Sequence, residues 1–222
     1  TSEASAPDPT QWRTVGFNDA LWSTGQAAFY YETQPGSATA YTGNTALSDM
    51  SGSYSCLFMR RTFVVNNVNE LSELQLSALS DDGFRAWING TNVADFNMPG
   101  GEIPFDGASL GALTEPVPVQ VFTIANPRSF LVNGTNVLVV HAFNSSLGAS
   151  SDFVINVSLS GTTDTTRPTV ANLIPLAAST VRSLTSIEVD FSEDVTGVEA
   201  ADLLINGVPA TGLASFNAAQ YV

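Results

Sequence analysis

The stretch at residues 76–93, LSALSDDGFRAWINGTNV, constrains the fold of this chain more than any other. Its dipeptide Asn89-Gly90 separates two apolar runs, and both residues tolerate the positive φ that a type I′ turn requires. An Asn-Gly pair between alternating apolar residues is typical of a two-residue β-hairpin. We therefore predict a hairpin here and a β-rich domain around it.

Short alternating segments extend this pattern along the chain. They lie at 55–65, 71–80, 117–124, 136–144 and 153–161, and turns rich in Gly, Asn and Pro separate them. Prolines flank the segment at 117–124, which is typical of an edge strand. No helical periodicity of useful length interrupts the series. The pattern predicts an all-β fold, a jelly-roll β-sandwich.

Composition marks the domain boundaries. Residues 1–10, TSEASAPDPT, are predicted to be a linker, and residues 162–168, TTDTTRP, a second linker without apolar residues. The jelly-roll domain is thus expected at 11–161. The region 169–222 has its own Asn206-Gly207 turn, but its about 55 residues fall short of the roughly 100 of an immunoglobulin-like sandwich. We predict a partial Ig-like β-sandwich there.

The charge of the chain narrows the classes of partner. Seven arginines and no lysine stand against 21 acidic residues, for a net charge of −14. Such a surface repels phosphate backbones and anionic lipid, so we expect no nucleic-acid partner and no membrane insertion. No apolar run approaches the roughly 18 residues of a membrane span. High acidity favours solubility in a saline or extracellular setting, and we expect an extracellular or cell-surface location.

The acidic pair Asp81-Asp82 supports two interpretations. With Asp152 from the later SSD motif, these residues offer the oxygen ligands that Ca²⁺ prefers, which predicts a structural calcium site. Alternatively, both aspartates cap a tight turn in which Gly83 takes a positive φ. The calcium-loop signature D-x-D-x-D-G is absent, and the residues leave both interpretations open.

Arg85 and Trp87 share one face of the first hairpin strand, because side chains alternate along a strand. If the opposite face meets the core, Trp87 stacks on a sugar, contacts a neighbouring subunit, or is buried under the long loop at residues 30–53. We favour burial under that loop. With Asn97 and Glu102 in the segment that follows, Arg85 and Trp87 are the candidate ligand-binding residues.

No residue of the chain is predicted to be catalytic. His141 is the single histidine and lies in mid-strand without a nucleophile elbow or an activated thiol, which indicates a core or sheet-surface role. Cys56 is the single cysteine and is predicted to be a small buried hydrophobe. The acidic residues lie in turns and linkers. We therefore do not expect an enzyme.

Several motifs keep a common order in the first 160 residues. They are W-x4-F-x-D-x2-W at 12–22, DDG at 81–83, W-x-NG at 87–90, NG-x-N-x-L at 133–138 and SSD at 150–152. This set resembles the galactose-binding-like jelly roll of secreted bacterial proteins. With GGEIPF at 100–105 it is also similar to the sugar-binding domain of family 2 glycoside hydrolases. The motif V-x-F-S-E-x-V at 189–195 looks like bacterial Ig-like domains of cell-surface proteins.

The resemblance implies a non-catalytic, carbohydrate-binding-like module of a multidomain protein, with a glycan as partner. It carries over no binding residues, because the sugar contacts of this fold lie on variable loops. Trp12 and Trp22 are predicted to be core anchors, with an exposed sugar-stacking platform as the alternative. A second functional hypothesis is a structural subunit of an extracellular filament or surface layer. In it, unpaired strand edges of the partial Ig-like domain accept a strand from a neighbouring chain.

Overall fold

The computed structural model describes residues 2–148, 150–163 and 166–222, and it is all-β, as predicted. The chain forms two compact units, with the boundary after residue 164. The strands of the first unit are β1 (Phe29–Glu32), β2 (Thr45–Ala46), β3 (Cys56–Val65), β4 (Leu71–Asp81), β5 (Gly83–Ile88), β6 (Thr91–Phe96), β7 (Gln120–Ala125), β8 (Gly134–Phe143) and β9 (Asp152–Thr163). Its short 3₁₀ helices are Gln11–Arg13, Val68–Glu70 and Pro127–Ser129. No helix in the described part of the chain is long and apolar enough to span a membrane.

The first unit is a β-sandwich. Its large sheet has the strand order β2-β1-β9-β4-β7, and its small sheet has the order β3-β8-β5-β6. Neighbouring strands are antiparallel, apart from the parallel pair β1 and β2. From β3 onward the chain changes sheet at every connection except the β5-β6 hairpin, which is the course of a jelly roll. The edge position predicted for the segment at 117–124 is confirmed, because β7 ends the large sheet.

The predicted hairpin is confirmed, whereas the predicted turn before it is not. Asn89 and Gly90 have φ values of 50° and 87° and join β5 to β6. Gly83 has no positive φ. A Cβ atom at Gly83 would lie 2.8 Å from the sulfur of Met98, so glycine is needed there for close approach. The chain passes at this point from the large sheet to the small sheet.

The core lies between the two sheets. Alternate residues of β4 and β5 point into it, as their apolar spacing predicts. They are Leu74, Leu76 and Ala78 from β4, and Phe84, Ala86 and Ile88 from β5. Strands β8 and β9 contribute Val140, Ala142, Phe153 and Ile155. Because β5 directs these residues inward, Arg85 and Trp87 lie on the outer face of the small sheet.

That outer face is covered by the N-terminal segment, residues 2–22, which we call the N-terminal cover. Trp12 is fully buried and packs against Trp87 and the β8 residues Val137 and Val139. The predicted anchor role of Trp12 is confirmed. Trp87 is indeed buried, but the prediction that the loop at 30–53 buries it is wrong.

The start of the N-terminal cover differs from the linker that composition predicts for residues 1–10. Ser5 is buried, and its hydroxyl oxygen accepts a hydrogen bond from the Trp12 backbone N–H at 3.2 Å. The Glu3 carboxylate accepts a hydrogen bond from the Phe105 N–H at 3.1 Å. Small polar residues here bind backbone groups rather than solvent, so the segment is part of the packed unit.

The second unit is smaller and more open. It consists of β10 (Val170–Ile174), β11 (Glu188–Phe191), the 3₁₀ helix Ala200–Asp202, β12 (Leu204–Ile205), β13 (Val208–Pro209), β14 (Ser215–Asn217) and β15 (Gln220–Tyr221). One sheet has the order β10-β11-β15-β14, and the predicted Asn206-Gly207 turn joins the separate pair β12 and β13. Within residues 166–222 no residue is buried. Leu173, Val189 and Phe191 line an open cleft of about 400 Å³.

Candidate functional site

Several connections of the first unit converge at one end of the sandwich, which we call the loop end. They are the loops at 33–44, 47–55 and 97–119, the segments flanking β8 and β9 at 144–148 and 150–151, and the Asp81-Asp82 corner between β4 and β5. The strand registers bring them together, because Asp152 pairs with Glu32 and Val154 pairs with Asp81. The predicted metal ligands all lie at this end.

Asp82 holds two of these loops in place. Its carboxylate accepts hydrogen bonds from the backbone N–H groups of Leu113 at 2.9 Å and Ser145 at 2.6 Å. The Asn97 amide donates to the carbonyl oxygens of Asp82 and Gly111, at 3.0 and 2.8 Å. Asp82 was predicted to bind a metal and Asn97 a ligand. Both side chains are instead occupied in positioning the loops.

Asn144 adds further links and is itself buried. Its backbone N–H donates to the Ser55 carbonyl at 2.8 Å, and its carbonyl accepts from the Ser109 N–H at 3.2 Å. Its side-chain amide donates to the Tyr31 hydroxyl at 2.6 Å and to the Asp152 carbonyl at 3.3 Å. A satisfied buried network of this kind rigidifies the groups that it connects. The loop end is therefore preorganised.

Three carboxylates meet beside this network. Asp81 at the end of β4, Asp152 at the start of β9 and Glu115 from the loop at 97–119 each bring an oxygen atom within 4.8 Å of the others. The sequence pointed to Asp81 and Asp152. It gave no signal for Glu115, which precedes a proline in a loop without periodicity and meets the aspartates only through the fold.

The pKa values of two carboxyl groups in the cluster are raised, because these groups are buried and lie next to other acids. Burial raises the pKa of Asp81 to about 8, and the adjacent Asp82 and Asp152 carboxylates add to this rise. Burial also raises the pKa of Asp152 to about 7, with a contribution from Glu115. Carboxylates this close are not all ionised unless a proton or a cation compensates their charge.

The predicted ligand-binding residues Trp87 and Glu102 contact the N-terminal cover, and neither is a member of the carboxylate cluster. Trp87 is only 5% exposed. The Arg13 guanidinium carbon lies 3.9 Å from the Trp87 ring centroid, and Arg13 also forms an ion pair with Glu102. The chain thus places its own cation on the face of Trp87, and the alternative in which this ring stacks on a sugar does not fit the structure.

Arg85 is occupied as well. It forms an ion pair with Asp95 and donates hydrogen bonds to the carbonyl oxygens of Gly101 and Pro99. The hydrogen bond to Pro99 is 2.8 Å long. These contacts fix the Gly-Gly loop against β5. The four predicted ligand-binding side chains are therefore not brought together into one open site.

His141 and Cys56 have the structural environments that the sequence predicts. The His141 ring lies between those of Phe58 and Phe143, with centroid separations of 3.9 Å to each. Burial lowers the pKa of His141 to about 2, and the charges of Arg13 and Arg85 contribute. Burial raises the pKa of the Cys56 thiol to about 12. Neither group is poised as a base or nucleophile near neutral pH.

Comparison with known proteins identifies no family for the chain. No protein-family model matches it, and no curated protein matches it. Among solved structures, it is similar to a beta-glycosidase from Bacteroides vulgatus, with 14% identity and a TM-score of 0.36. The similarity covers 85% of this chain and 22% of the glycosidase, so the chain spans about a fifth of the length of that protein.

Proposed function

We propose that this chain is a non-catalytic, carbohydrate-binding-like module of an extracellular or cell-surface multidomain protein, with the loop end as its ligand-binding face. The observation that supports this proposal is the way in which the loops of the loop end are held in place. Asp82, Asn97 and Asn144 hold separate loops on a β-sandwich through specific hydrogen bonds. Binding residues are often found on loops that a rigid scaffold positions in this way. The resemblance to galactose-binding-like jelly rolls supports a glycan as the ligand class.

The acidic cluster supports binding rather than hydrolysis. Glycoside hydrolases place two carboxyl groups on either side of the scissile bond, roughly 5 to 9.5 Å apart. Asp81 and Asp152 are only 3% and 5% exposed, and their cluster is closed to within 4.8 Å. These carboxyl groups are therefore buried rather than open to a sugar ring. We therefore assign no catalytic role to these carboxyl groups.

The test is a glycan array probed with the full chain, followed by variants at the two ends of the sandwich. Leu110 and Leu147 are exposed apolar side chains at the loop end. Sugars present apolar C–H faces, so Leu110→Asp and Leu147→Asp are expected to weaken binding at least tenfold, or about 1.4 kcal/mol. Val64 and Val132 are exposed near the opposite end, and Val64→Asp and Val132→Asp are the matched controls.

Two outcomes of this experiment oppose the proposal. If no glycan on the array binds the chain, glycans are excluded as the ligand class. If the variants at Val64 or Val132 weaken binding and the variants at Leu110 and Leu147 do not, the loop end is excluded as the binding face.

A second candidate function is a structural subunit of a filament or surface layer, and the open sheet of the second unit favours it. Strands β10 and β14 each have one neighbour within the sheet, and Phe216 on β14 is 70% exposed. Unpaired edges with apolar side chains accept strands from other chains.

If the second unit assembles in this way, size-exclusion chromatography and negative-stain imaging should show polymers, and Phe216→Lys should reduce them. Leu21→Lys, at an exposed leucine of the first unit, should leave them unchanged. A monomer at all concentrations contradicts this candidate.

A further inference from the structure

Two buried oxygen atoms at the loop end form no hydrogen bond of good geometry, although they lie close enough to interact with each other. They are the Tyr41 hydroxyl and Oδ2 of Asp81. Tyr41 is 9% exposed and Asp81 is 3% exposed, so bulk water does not solvate them freely. Buried polar atoms are nearly always satisfied by protein, water or an ion. These two atoms therefore indicate a polar partner at this position.

Tyr41 lies beside the carboxylate cluster. Burial raises its pKa, and the charge of the nearby Asp81 raises it further. The backbone N–H of Tyr41 donates to the Glu32 carboxylate at 3.1 Å, which anchors its loop next to the start of β9. The tyrosine is thus a neutral oxygen donor held next to the three acids, and it is not part of the acidic cluster itself.

We propose that Asp81, Glu115 and Asp152 bind a divalent cation, Ca²⁺, with the Tyr41 hydroxyl beside it. Carboxylate and neutral oxygen ligands match the preference of Ca²⁺, whereas Zn²⁺ and copper favour histidine and thiolate. The single histidine, His141, is buried on the outer face of the small sheet and is not a member of the cluster. Asp82 takes no part, since both its carboxylate oxygens accept backbone hydrogen bonds.

The position of the site gives the cation a mechanical role. Its ligands come from the end of β4, the start of β9 and the loop at 97–119, with the loop at 33–44 alongside. One ion there ties the large sheet to two long loops. The site goes beyond the proposed glycan binding, which does not depend on it, and it stiffens the same face.

The test uses the full chain after dialysis against EDTA. Calorimetric titration with CaCl₂ should show binding at one site. Saturation to about 100 times Kd should raise the melting temperature of the first unit by roughly 5 to 10 °C. Mg²⁺ should act more weakly, because it demands tighter octahedral geometry and loses its water reluctantly. Tb³⁺ bound in place of Ca²⁺ should luminesce on tyrosine excitation, and Tyr41→Phe should reduce that signal.

Matched substitutions make the result specific. Glu115→Gln should abolish the calcium-dependent shift in melting temperature, whereas Asp106→Asn, at an exposed acid of the same loop, should preserve it. Glu115→Gln replaces one of three crowded carboxyl groups with a neutral amide, so this variant should fold in EDTA at least as well as the natural chain. The proposal is overturned if Ca²⁺ gives neither heat nor a melting shift, or if Glu115→Gln keeps the full shift. Neither outcome bears on glycan binding, which the array measures separately.

Discussion

The two units share their local chemistry and differ in their packing. Each contains an Asn-Gly turn with both residues at positive φ, and each forms a four-stranded sheet. In the first unit the alternating apolar residues meet an opposing sheet and are fully buried, whereas no residue within 166–222 is buried. Strand pairing is therefore a local property of these sequences. Burial requires a second layer of sufficient size, and in the described part of the second unit the further sheet consists of the short pair β12 and β13.

Two phenylalanines provide the largest contrast. Phe84 is fully buried in the first unit, and Phe216 is 70% exposed in the second. Phe84→Ala should lower the free energy of unfolding of the first unit by about 3 to 5 kcal/mol, because it leaves a cavity. Phe216→Ala should change that of the second by about 0.5 kcal/mol or less. Scanning calorimetry of both variants checks this, and equal losses would show that the second unit has a comparable core.

Arg60 tests whether the N-terminal cover belongs to the packed part of the first unit. Its buried side chain forms an ion pair with Asp19 at 2.9 Å and donates to the carbonyl oxygens of Trp12 and Thr14. Arg60→Met should cost about 2 kcal/mol and shift tryptophan fluorescence to the red, because the carbonyl oxygens of Trp12 and Thr14 lose this donor and Trp12 is freed. Arg61 is exposed, and Arg61→Met should cost about 0.5 kcal/mol at most. An unchanged spectrum for Arg60→Met would mean that the cover holds without this contact.

His141 makes the first unit sensitive to acid. Its pKa is lowered to about 2 by burial, then by the charges of Arg13 and Arg85, so the unfolded chain binds a proton more readily than the folded chain does. The contribution of neutral His141 to the free energy of unfolding is therefore complete above pH 6.5. It declines as the pH falls further, because the unfolded chain takes up the proton first. The loss between pH 7 and pH 5 should be about 2 kcal/mol.

The comparison of the natural chain with His141→Phe at both pH values isolates this effect. The acids at the loop end titrate in both proteins and cancel in the difference. Denaturant unfolding followed by tryptophan fluorescence is the measurement, since all three tryptophans lie in the first unit. Parallel pH profiles for the two proteins would show that His141 is not the acid-sensitive group.

The shared turn gives the smallest and most closely matched contrast. Gly90 has a φ of 87° and Gly207 a φ of 82°, where alanine is strained by about 1 to 2 kcal/mol. Gly90→Ala should lower only the calorimetric transition of the first unit, and Gly207→Ala only that of the second. A single transition that moves with both substitutions would indicate that the units unfold together.

Much of the fold could be predicted from the sequence, because its signals are local. Alternation indicated the strands, and Asn89-Gly90 and Asn206-Gly207 indicated the hairpins. Alternation also placed Trp87 opposite the core, as observed. It could not show which segment covers that ring, because a composition of Ser, Ala and Pro reads as a linker. Only the tertiary contacts of Ser5 and Trp12 show that this segment is packed.

The candidate site was less predictable, because it depends on contacts between distant segments. Asp81 and Asp152 stand out as acids at strand ends, and the register of β4 with β9 joins them. Glu115 joins these two aspartates only because the loop at 97–119 folds back against them. Asp82 has the same side chain as Asp81, but its backbone hydrogen bonds give it another role. Neighbouring residues of one type were thus separated by geometry that sequence spacing does not encode.

The double-sided burial of the small sheet bears on how this protein is produced in the laboratory. A recombinant fragment that begins at Phe29, the first residue of β1, retains every strand and still loses Trp12. Val137, Val139 and Trp87 then form an apolar patch that is exposed to solvent, and we expect such a fragment to aggregate into inclusion bodies. Expression boundaries should be chosen upstream of Ala4, which packs against that patch, rather than at the first strand.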